Sequence, residues 1–239
     1  MSLPVFWRES LADVDGVLLL DGAEGHHAAV VRRLGVGERV RITDGRGSYV
    51  EGPVAALGKR SVRVSAADRV SVPAPELRLT VVQAVPKGER AELAVQALVE
   101  VGVDRIVPWA AERSQVRLSG ERGERLLAKW RAWAFEAGKQ ARRSWFCEVT
   151  DVAHSAAVSV LLAGADVGLV LHEEAAVALG AVSLPSRGEV VLVVGPEGGI
   201  SADELPAAIR SVRLGDTVLR TSTAGAVAAG VVLAGTRWR

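Results

Sequence analysis

Apolar and polar residues alternate in short runs over roughly the first 68 residues of the chain. The runs are rich in Val and are separated by turn signals, of which Asp44-Gly45-Arg46-Gly47 is typical of a hairpin. One stretch, residues 26–34, has helical spacing instead. The predicted strands are residues 17–20, 39–43, 48–55 and 61–66. This pattern predicts a small β-barrel with one short helix.

After Pro75 short continuous apolar runs alternate with longer stretches of helical periodicity. Residues 70–76 contain Pro73 and Pro75, which cannot continue a helix or a central strand, so this stretch is the predicted linker. Alternating strands and helices bury a mostly parallel sheet between helical layers. The sequence therefore predicts an α/β protein of two domains, residues 1–73 and 74–239. In the second domain the predicted strands are residues 77–85, 105–109, 167–171 and 190–194, and the predicted helices are residues 89–101, 120–140 and 224–235.

The composition is that of an ordinary globular chain, with 239 residues, 49% of them hydrophobic, and 29 Lys and Arg against 28 Asp and Glu. This balance excludes disordered and collagen-like classes. The single cysteine, Cys147, cannot form an internal disulfide, and the four His residues show no zinc spacing, so no metal is expected. The first 13 residues lack a signal-peptide pattern, and residues 224–235 are shorter than the roughly 20 residues that a membrane helix needs. We therefore expect a cytoplasmic protein without a membrane segment.

Positive charge is concentrated between Arg113 and Trp145, although the net charge of the whole chain is only +1. This basic segment has nine basic residues against three acidic ones, Glu121, Glu124 and Glu136. Such an excess predicts contact with an anionic partner, while the solvated face of a helix is the alternative for any single residue. The basic residues are Arg113, Arg117, Arg122, Arg125, Lys129, Arg131, Lys139, Arg142 and Arg143.

A glycine-rich turn directly follows the apolar strand that ends at Val194. It reads Gly195-Pro196-Glu197-Gly198-Gly199, and Ser201 with Glu204 has the spacing of a capping box, which predicts a helix after the turn. Glycines let backbone N–H groups approach a ligand, and small ligands bind at the carboxyl ends of strands in α/β folds. A tight strand-to-helix connection without a ligand is the alternative. Neither a dinucleotide-binding nor a P-loop signature occurs in the chain.

A second motif, Leu214-Gly215 followed by Val218-Leu219-Arg220-Thr221, places Arg220 at the bend before a helix of small residues. Together and in this order, the two motifs resemble the trefoil-knotted SPOUT methyltransferases. The resemblance is closest to the bacterial RsmE type, which methylates N3 of a uridine in small-subunit ribosomal RNA. Further matches are His26-His27, Arg33, Gly37, Asp44-Gly45-Arg46-Gly47, Lys87, Glu100-Val101-Gly102-Val103, Arg113-Ser114, Trp130, Glu136-Ala137, Gln140 and Arg143.

The chain departs from the family pattern at two places. Ser222 stands where the family often has Glu after the Leu-Arg-Thr element, so no role of that carboxylate carries over. The arginine that commonly precedes the aromatic pair is absent before Phe6-Trp7. The resemblance therefore covers nearly the whole chain but leaves these two positions without an assigned role.

The resemblance implies a C-terminal SPOUT trefoil-knot domain preceded by a PUA-like β-barrel that binds RNA. The knot would bring the glycine turn, the loop after Leu171 and the segment Leu214 to Leu219 together around the cofactor S-adenosylmethionine. With Arg220, which follows it, this segment is called the Arg220 loop. By resemblance, the cofactor-binding residues are Leu171, His172, Glu173, Gly195, Pro196, Glu197, Gly198, Gly199, Leu214, Gly215, Val218 and Leu219.

The resemblance also implies a reaction and its partners: methyl transfer to uracil N3 in 16S ribosomal RNA or the small ribosomal subunit, by a homodimer. Arg220 and Arg143 are the candidate catalytic residues, because positive groups stabilise negative charge that develops on the uracil oxygens. A phosphate contact is the alternative for Arg143. Three alternatives for the whole chain stay open: methylation of a ribose 2′-hydroxyl or another base, RNA binding without catalysis, and methylation of a small molecule. The candidate RNA-binding residues are His27, Arg33, Arg113 and Arg142.

Overall fold

The computed structural model describes residues 3–13, 15–65, 68–116 and 119–238. The chain forms two compact units. The first consists of Met1–Ala74 and Gly138–Phe146, and the second of Pro75–Ala137 and Cys147–Arg239. The division after Ala74 lies within residues 70–76, the predicted linker, whereas the return of Gly138–Phe146 to the first unit is not visible in the sequence pattern.

The first unit is built on a six-stranded, mostly antiparallel sheet. The strands run in the order β1-β3-β4-β5-β2, β6 pairs with β4, and only β1 and β3 are parallel. Its apolar residues, including Phe6, Leu18, Val40 and Val62, share one buried core. The elements are β1 (Val5–Trp7), β2 (Val17–Leu20), α1 (Gly22–His26), a π-helical turn (His27–Val31), β3 (Arg39–Thr43), β4 (Ser48–Leu57), β5 (Val62–Ser65) and β6 (Val70–Ser71).

Most of the predicted elements of the first unit are confirmed. β2 and β3 have the predicted bounds, while β4 continues two residues further than predicted, to Leu57. The helical stretch begins earlier than its spacing indicates, at Gly22, and ends at Val31. The predicted strand 61–66 is observed as β5, and its last residue, Ala66, lies outside the described residues.

The segment Gly138–Phe146 is held in the first unit by backbone pairing with the turn between β3 and β4. Gly47 donates its N–H to the carbonyl of Ser144 (2.8 Å), and Phe146 donates to that of Gly45 (2.9 Å). The indole of Trp145 donates to the carbonyls of Val72 and Pro73 at 3.0 and 3.2 Å. Gly47 has a φ of +95°, and a Cβ at this position would overlap the Trp145 ring.

The second unit contains a six-stranded sheet in which every neighbouring pair is parallel, in the order β12-β10-β11-β7-β8-β9. This confirms the α/β alternation predicted for the chain after Pro75. Its elements are β7 (Leu77–Ala84), α2 (Arg90–Val101), β8 (Arg105–Trp109), α3 (Gly120–Gln140), β9 (Glu148–Val149), α4 (Ser155–Gly164), β10 (Val167–Leu171), β11 (Gly188–Val194), β12 (Arg210–Val212) and α5 (Thr221–Thr236).

Both faces of this sheet are buried, as the continuous apolar runs indicate. Along β11, Val190, Leu192 and Val194 belong to one core cluster, and Val191 and Val193 belong to the other. Residues of α2, α3 and α5 complete the first cluster, and residues of α4 complete the second. Successive side chains of a strand point to opposite faces, so a strand covered on both sides has no polar face.

We expect Gly47→Ala to destabilise the protein by about 2 kcal/mol, because the new methyl group overlaps the Trp145 ring and the backbone has positive φ. The matched control is Gly37→Ala, where φ is +89° but a Cβ would have no neighbour within 4 Å. That change should cost only the backbone strain, about 1 kcal/mol. Thermal unfolding of both variants measures the difference, and equal losses would contradict the packing role of Trp145.

Candidate functional site

A cleft of about 450 Å³ lies at the carboxyl ends of β10, β11 and β12 in the second unit. Three segments supply most of its lining: the loop after β10, the glycine turn after β11 and the loop between β12 and α5. Arg90 at the start of α2 and Arg113 in the segment after β8 complete it. The predicted convergence of the glycine turn and the Arg220 loop is therefore confirmed. Eleven of the twelve predicted cofactor residues line this cleft, namely Leu171, His172, Glu173, Gly195, Pro196, Glu197, Gly199, Leu214, Gly215, Val218 and Leu219.

The glycine turn closes on itself and leaves little room for side chains. Gly199 donates its N–H to the carbonyl of Pro196 (2.9 Å) and has a φ of +74°. A Cβ on Gly195 would stand 2.8 Å from Cγ1 of Ile200. A side chain at Gly195 would therefore displace the wall of the cleft, and a side chain at Gly199 would strain the backbone.

Gly198, the twelfth predicted cofactor residue, does not line the cleft and instead packs against the Arg113 loop. Its carbonyl accepts a hydrogen bond from Nη1 of Arg113 (3.3 Å), and a Cβ on Gly198 would lie 3.0 Å from Cβ of Arg113. This close approach explains the glycine, while Arg113 itself lines the cleft.

The prediction of a helix after Ser201 is wrong. Residues 201–209 form turns, and Pro206 supplies a physical reason, since it has no N–H to donate within a helix that starts at Ser201. The N–H of Ser201 does donate to Oε2 of Glu204 (3.2 Å), so one half of the capping box is present without the helix. The partial positive charge of a helix N-terminus is consequently absent from this wall of the cleft.

Glu204 instead joins three parts of the second unit through a buried carboxylate. It is 6% exposed, and Oε1 accepts from the N–H of Glu112 (2.6 Å) and from Oγ of Ser155 (3.0 Å). Ser155 in turn accepts from the indole of Trp109 (3.2 Å). These bonds fix the loop that carries Arg113 against the segment that follows the glycine turn.

The Arg220 loop is tied to the glycine turn by a hydrogen bond from Oγ1 of Thr221 to the carbonyl of Gly195 (3.1 Å). Arg220 precedes α5 with extended backbone angles, and its carbonyl accepts from the N–H groups of Thr223 and Ala224, both at 2.9 Å. Nearby, Nη1 of Arg213 donates to the carbonyls of Ala175 and Ala176 at 3.0 and 2.9 Å. The three lining segments are thus held together by direct bonds.

Charge in the cleft is predominantly positive. Four arginines line it, against the carboxylates of Glu173 and Glu197. Neither Arg90 nor Arg213 is among the site residues predicted from the sequence. Arg213 directly precedes the Leu214-Gly215 motif, whereas no local signal marks Arg90. Among the described residues, the side chains of Arg90 and Arg220 form no ion pair, so both are available to an anionic ligand. The four arginines are Arg90, Arg113, Arg213 and Arg220.

The other predicted site residues belong to the first unit, whereas the cleft is lined by residues of the second unit. Nε of Arg143 donates to the carbonyl of Trp145 (2.8 Å), so this guanidinium helps to hold the segment 138–146. Arg33 and Arg142 are exposed residues with φ of +51° and +54°. His27 is exposed, with its ring edge-on to Phe6 at 6.0 Å between centroids. Their roles toward RNA, and that of Arg143 in catalysis, stay predictions.

The basic segment is partly neutralised by ion pairs. Arg125 pairs with Glu121 (2.7 Å), and Arg131 pairs with Asp151 (2.7 Å). Lys139 is buried and pairs with Glu24 at 2.6 Å, so it does not belong to an exposed basic surface. Arg117 lies outside the described residues. The anionic partner expected from this segment therefore has fewer free cations to contact than the sequence count indicates.

Ser222, which stands in place of the family Glu, is buried at the start of α5 and does not line the cleft. Within the described residues, no group of three or more His, Cys, Asp or Glu side chains is placed to hold a metal ion. None of the helices in the described part of the chain has the length and apolarity needed to cross a membrane.

Comparison with known proteins relates the chain to one family. The family profile described as an RNA methyltransferase domain matches residues 73–233, and a profile described as an RNA methyltransferase PUA domain matches residues 20–66. The ribosomal RNA small subunit methyltransferase E of Mycobacterium bovis is 41% identical over 95% of this chain and 90% of its own length. The protein of the same name from Bacillus subtilis is 25% identical over 86% of this chain and 85% of its own length.

Solved structures agree with these sequence matches. The ribosomal RNA small subunit methyltransferase E of Neisseria gonorrhoeae, bound to S-adenosylmethionine, superposes with a TM-score of 0.85 at 25% identity and covers 98% of both chains. A Legionella pneumophila protein solved with the same cofactor has a TM-score of 0.85 at 27% identity over 99% of both chains. The chain therefore belongs to the RNA methyltransferases that carry a PUA domain and, within them, to the RsmE type.

We expect Glu204→Ala to destabilise the second unit by about 3 kcal/mol, because the N–H of Glu112 and the hydroxyl of Ser155 would lose their buried acceptor. The neighbouring control Asp203→Ala removes an exposed carboxylate and should change stability by less than about 0.5 kcal/mol. Urea unfolding measures both. A loss for Glu204→Ala no larger than for Asp203→Ala would show that the carboxylate does not hold these loops.

Proposed function

We propose that this chain transfers the methyl group of S-adenosylmethionine to N3 of uracil at a specific uridine of 16S ribosomal RNA in the cytoplasm. The observation that carries the proposal is the cleft in which the glycine turn and the Arg220 loop meet at the carboxyl ends of three parallel strands. The M. bovis and N. gonorrhoeae relatives are both named as ribosomal RNA small subunit methyltransferases, which supports the choice of substrate class.

The residues of the cleft fit S-adenosylmethionine. Apolar side chains of Leu171, Ile200 and Leu219 suit the faces of an adenine ring, and glycines leave backbone groups open to its polar edge. Glu173 and Glu197 are exposed carboxylates that suit the cofactor's positive charges. When bound, the cofactor supplies a methyl group on a positively charged sulfonium.

Arg220 has the chemistry and the position to assist the transfer. Uracil N3 is a weak imide acid, and negative charge spreads to its oxygens when the proton leaves. The guanidinium of Arg220, at the rim of the cleft, stabilises that charge. The hydrogen bond from Thr221 to the carbonyl of Gly195 keeps the backbone next to Arg220 in place. Arg143 is the second proposed cation, either at the uracil oxygens or on a phosphate of the RNA.

The proposed RNA-binding residues are distributed over both units. His27, Arg33 and Arg142 present exposed donors on the first unit, whose profile match is a PUA domain, and Arg113 presents its guanidinium at the cleft. An arginine guanidinium can donate two parallel hydrogen bonds to phosphate oxygens. Such contacts supply affinity and orient the RNA, but they do not distinguish one base sequence from another. We also propose that the chain after β11 forms the family's trefoil knot and that the enzyme acts as a homodimer, with residues 1–73 and 74–239 as its RNA-binding and catalytic domains.

The cofactor assignment predicts that the protein binds S-adenosylmethionine and that Gly215→Leu weakens this binding at least tenfold. Gly215 lines the cleft and has no atom within 4 Å of an added Cβ, so the larger side chain would occupy ligand space rather than unfold the protein. Gly180→Leu is the control, since Gly180 is equally open but lies outside the lining. Isothermal titration calorimetry measures both. Unchanged affinity in Gly215→Leu would exclude this cleft as the cofactor site.

The catalytic assignment predicts that Arg220→Ala slows single-turnover methylation of 16S ribosomal RNA about a hundredfold at saturating cofactor, since a charge-assisted contact in the transition state is lost. Arg143→Ala is measured in parallel. Rates within a few-fold of wild type for both variants would remove these arginines from the chemistry.

Mass spectrometry of nucleosides from the wild-type reaction tests the methylated position. Detection of N3-methyluridine would support the proposal. Detection of a ribose-methylated nucleoside, or of another methylated base, would instead show a related methyltransferase activity and contradict the proposed position. Cofactor binding without transfer to RNA would instead favour an RNA-binding protein without catalysis, and transfer without RNA affinity would favour a small-molecule substrate.

A further inference from the structure

Gln83 is a buried amide that lies behind the cleft without lining it. It belongs to the central strand β7 and is 1% exposed. Its Nε2 donates to the carbonyl of Ala84 (2.9 Å) and to that of Thr221 (3.1 Å), which is 138 residues away in the chain. Thr221 in turn donates through Oγ1 to the carbonyl of Gly195 (3.1 Å). These hydrogen bonds therefore connect the interior of the sheet to two of the loops that line the cleft, the glycine turn and the Arg220 loop.

The other end of the same amide has no partner. Oε1 of Gln83 is a buried acceptor without a hydrogen bond among the described residues, and it faces Gly225 of α5, where an added Cβ would stand 2.8 Å away. A buried acceptor left without a donor destabilises a protein, and an apolar side chain of the same shape avoids that cost. That apolar side chain would also lose the two hydrogen bonds from Nε2, so the gains and losses nearly cancel and the amide contributes little net stability.

We propose that Gln83 is a positioning residue for methyl transfer, whose amide N–H holds Thr221 and, through it, Arg220 and the turn at Gly195. The inference rests on the proposed function, because it assigns Gln83 a role in that reaction. Arg220 is the residue directly before Thr221, and Gly195 begins the glycine turn. One donor inside the sheet thus sets the relative position of the two loops that bind the cofactor and carry the guanidinium.

The expected size of the effect follows from how geometry controls rate. A displacement of about 1 Å at a reacting group costs up to roughly a hundredfold in rate, even when the mutated residue is remote from the chemistry. Loss of one buried hydrogen bond allows a smaller shift, so we expect a slowing of about tenfold. The fold itself keeps its apolar packing, since the chain of bonds contributes little to the two core clusters.

Gln83→Met is the decisive variant, because it keeps the length of the side chain, removes the donor and also removes the unpartnered acceptor. We expect an unchanged or higher melting temperature, together with a single-turnover methylation rate about tenfold lower at saturating S-adenosylmethionine and RNA. When both proteins are measured without cofactor, the backbone amides of residues 221–225 should exchange hydrogen faster in Gln83→Met than in wild type. A residue with a merely structural role would lower the melting temperature instead.

Two further sets of variants test the hydrogen bonds that link Gln83, Thr221 and Gly195. Thr221→Val removes the donor to Gly195 and should slow methylation to a similar extent, whereas Thr221→Ser keeps the hydroxyl and should restore the rate. The double variant Gln83→Met/Thr221→Val should be no slower than the slower single variant, since both changes break the same line of bonds. The control is Thr80→Val, a buried residue of the same strand that donates to Glu189 (2.6 Å) away from the cleft; it should lower stability without changing the rate.

The proposal is overturned if Gln83→Met methylates within twofold of wild type and shows unchanged hydrogen exchange. It is also overturned if the variant melts well below wild type and its rate returns to normal at a lower temperature. Failure of the wild-type protein to methylate RNA would reject the proposed function instead, and exchange at residues 221–225 together with cofactor affinity would then decide the role of Gln83.

Discussion

Parallel pairing of β10, β11 and β12 is the constraint from which the cleft follows. Because the three strands run in the same direction, their carboxyl ends at Leu171, Val194 and Val212 meet at one edge of the sheet. Each strand then continues into a loop that must turn away at that edge, so three loops far apart in sequence enclose one space. The apolar faces of the strands are buried on both sides, which leaves this edge as the place where polar groups gather.

Polar side chains buried beneath the loops hold them in place. Glu204 receives three donors from three segments, and Gln83 reaches the start of α5 from the middle of the sheet. Buried polar groups that are satisfied across segments specify one arrangement of loops, since any other arrangement leaves them without partners. The apolar sheet therefore supplies the stability of this part of the protein, and the few polar side chains buried beneath the loops fix the positions of the loops.

Charge is distributed unevenly between the cleft and the basic segment. At the cleft, Arg90 and Arg220 keep guanidinium groups free of ion pairs among the described residues, which suits an enzyme acting on a polyanion. In the basic segment, by contrast, several cations are committed to structure, and Lys139 is buried against Glu24. The number of basic residues counted in the sequence is therefore larger than the number of cations that can contact a nucleic acid.

The sequence by itself determined the order and type of most of the elements, because apolar periodicity is a local property. The short strands β1, β6, β9 and β12 and the helix α4 were not among the predicted elements. Strand Arg105–Trp109 and helix Gly120–Gln140 occur at their predicted bounds, and the resemblance identified the three loops at the strand ends. Only the tertiary structure decided that Glu204 turns inward without capping a helix, that Gly138–Phe146 returns to the first unit, and that Gln83 reaches Thr221. These outcomes depend on partners many residues away, and neither periodicity nor spacing contains that information.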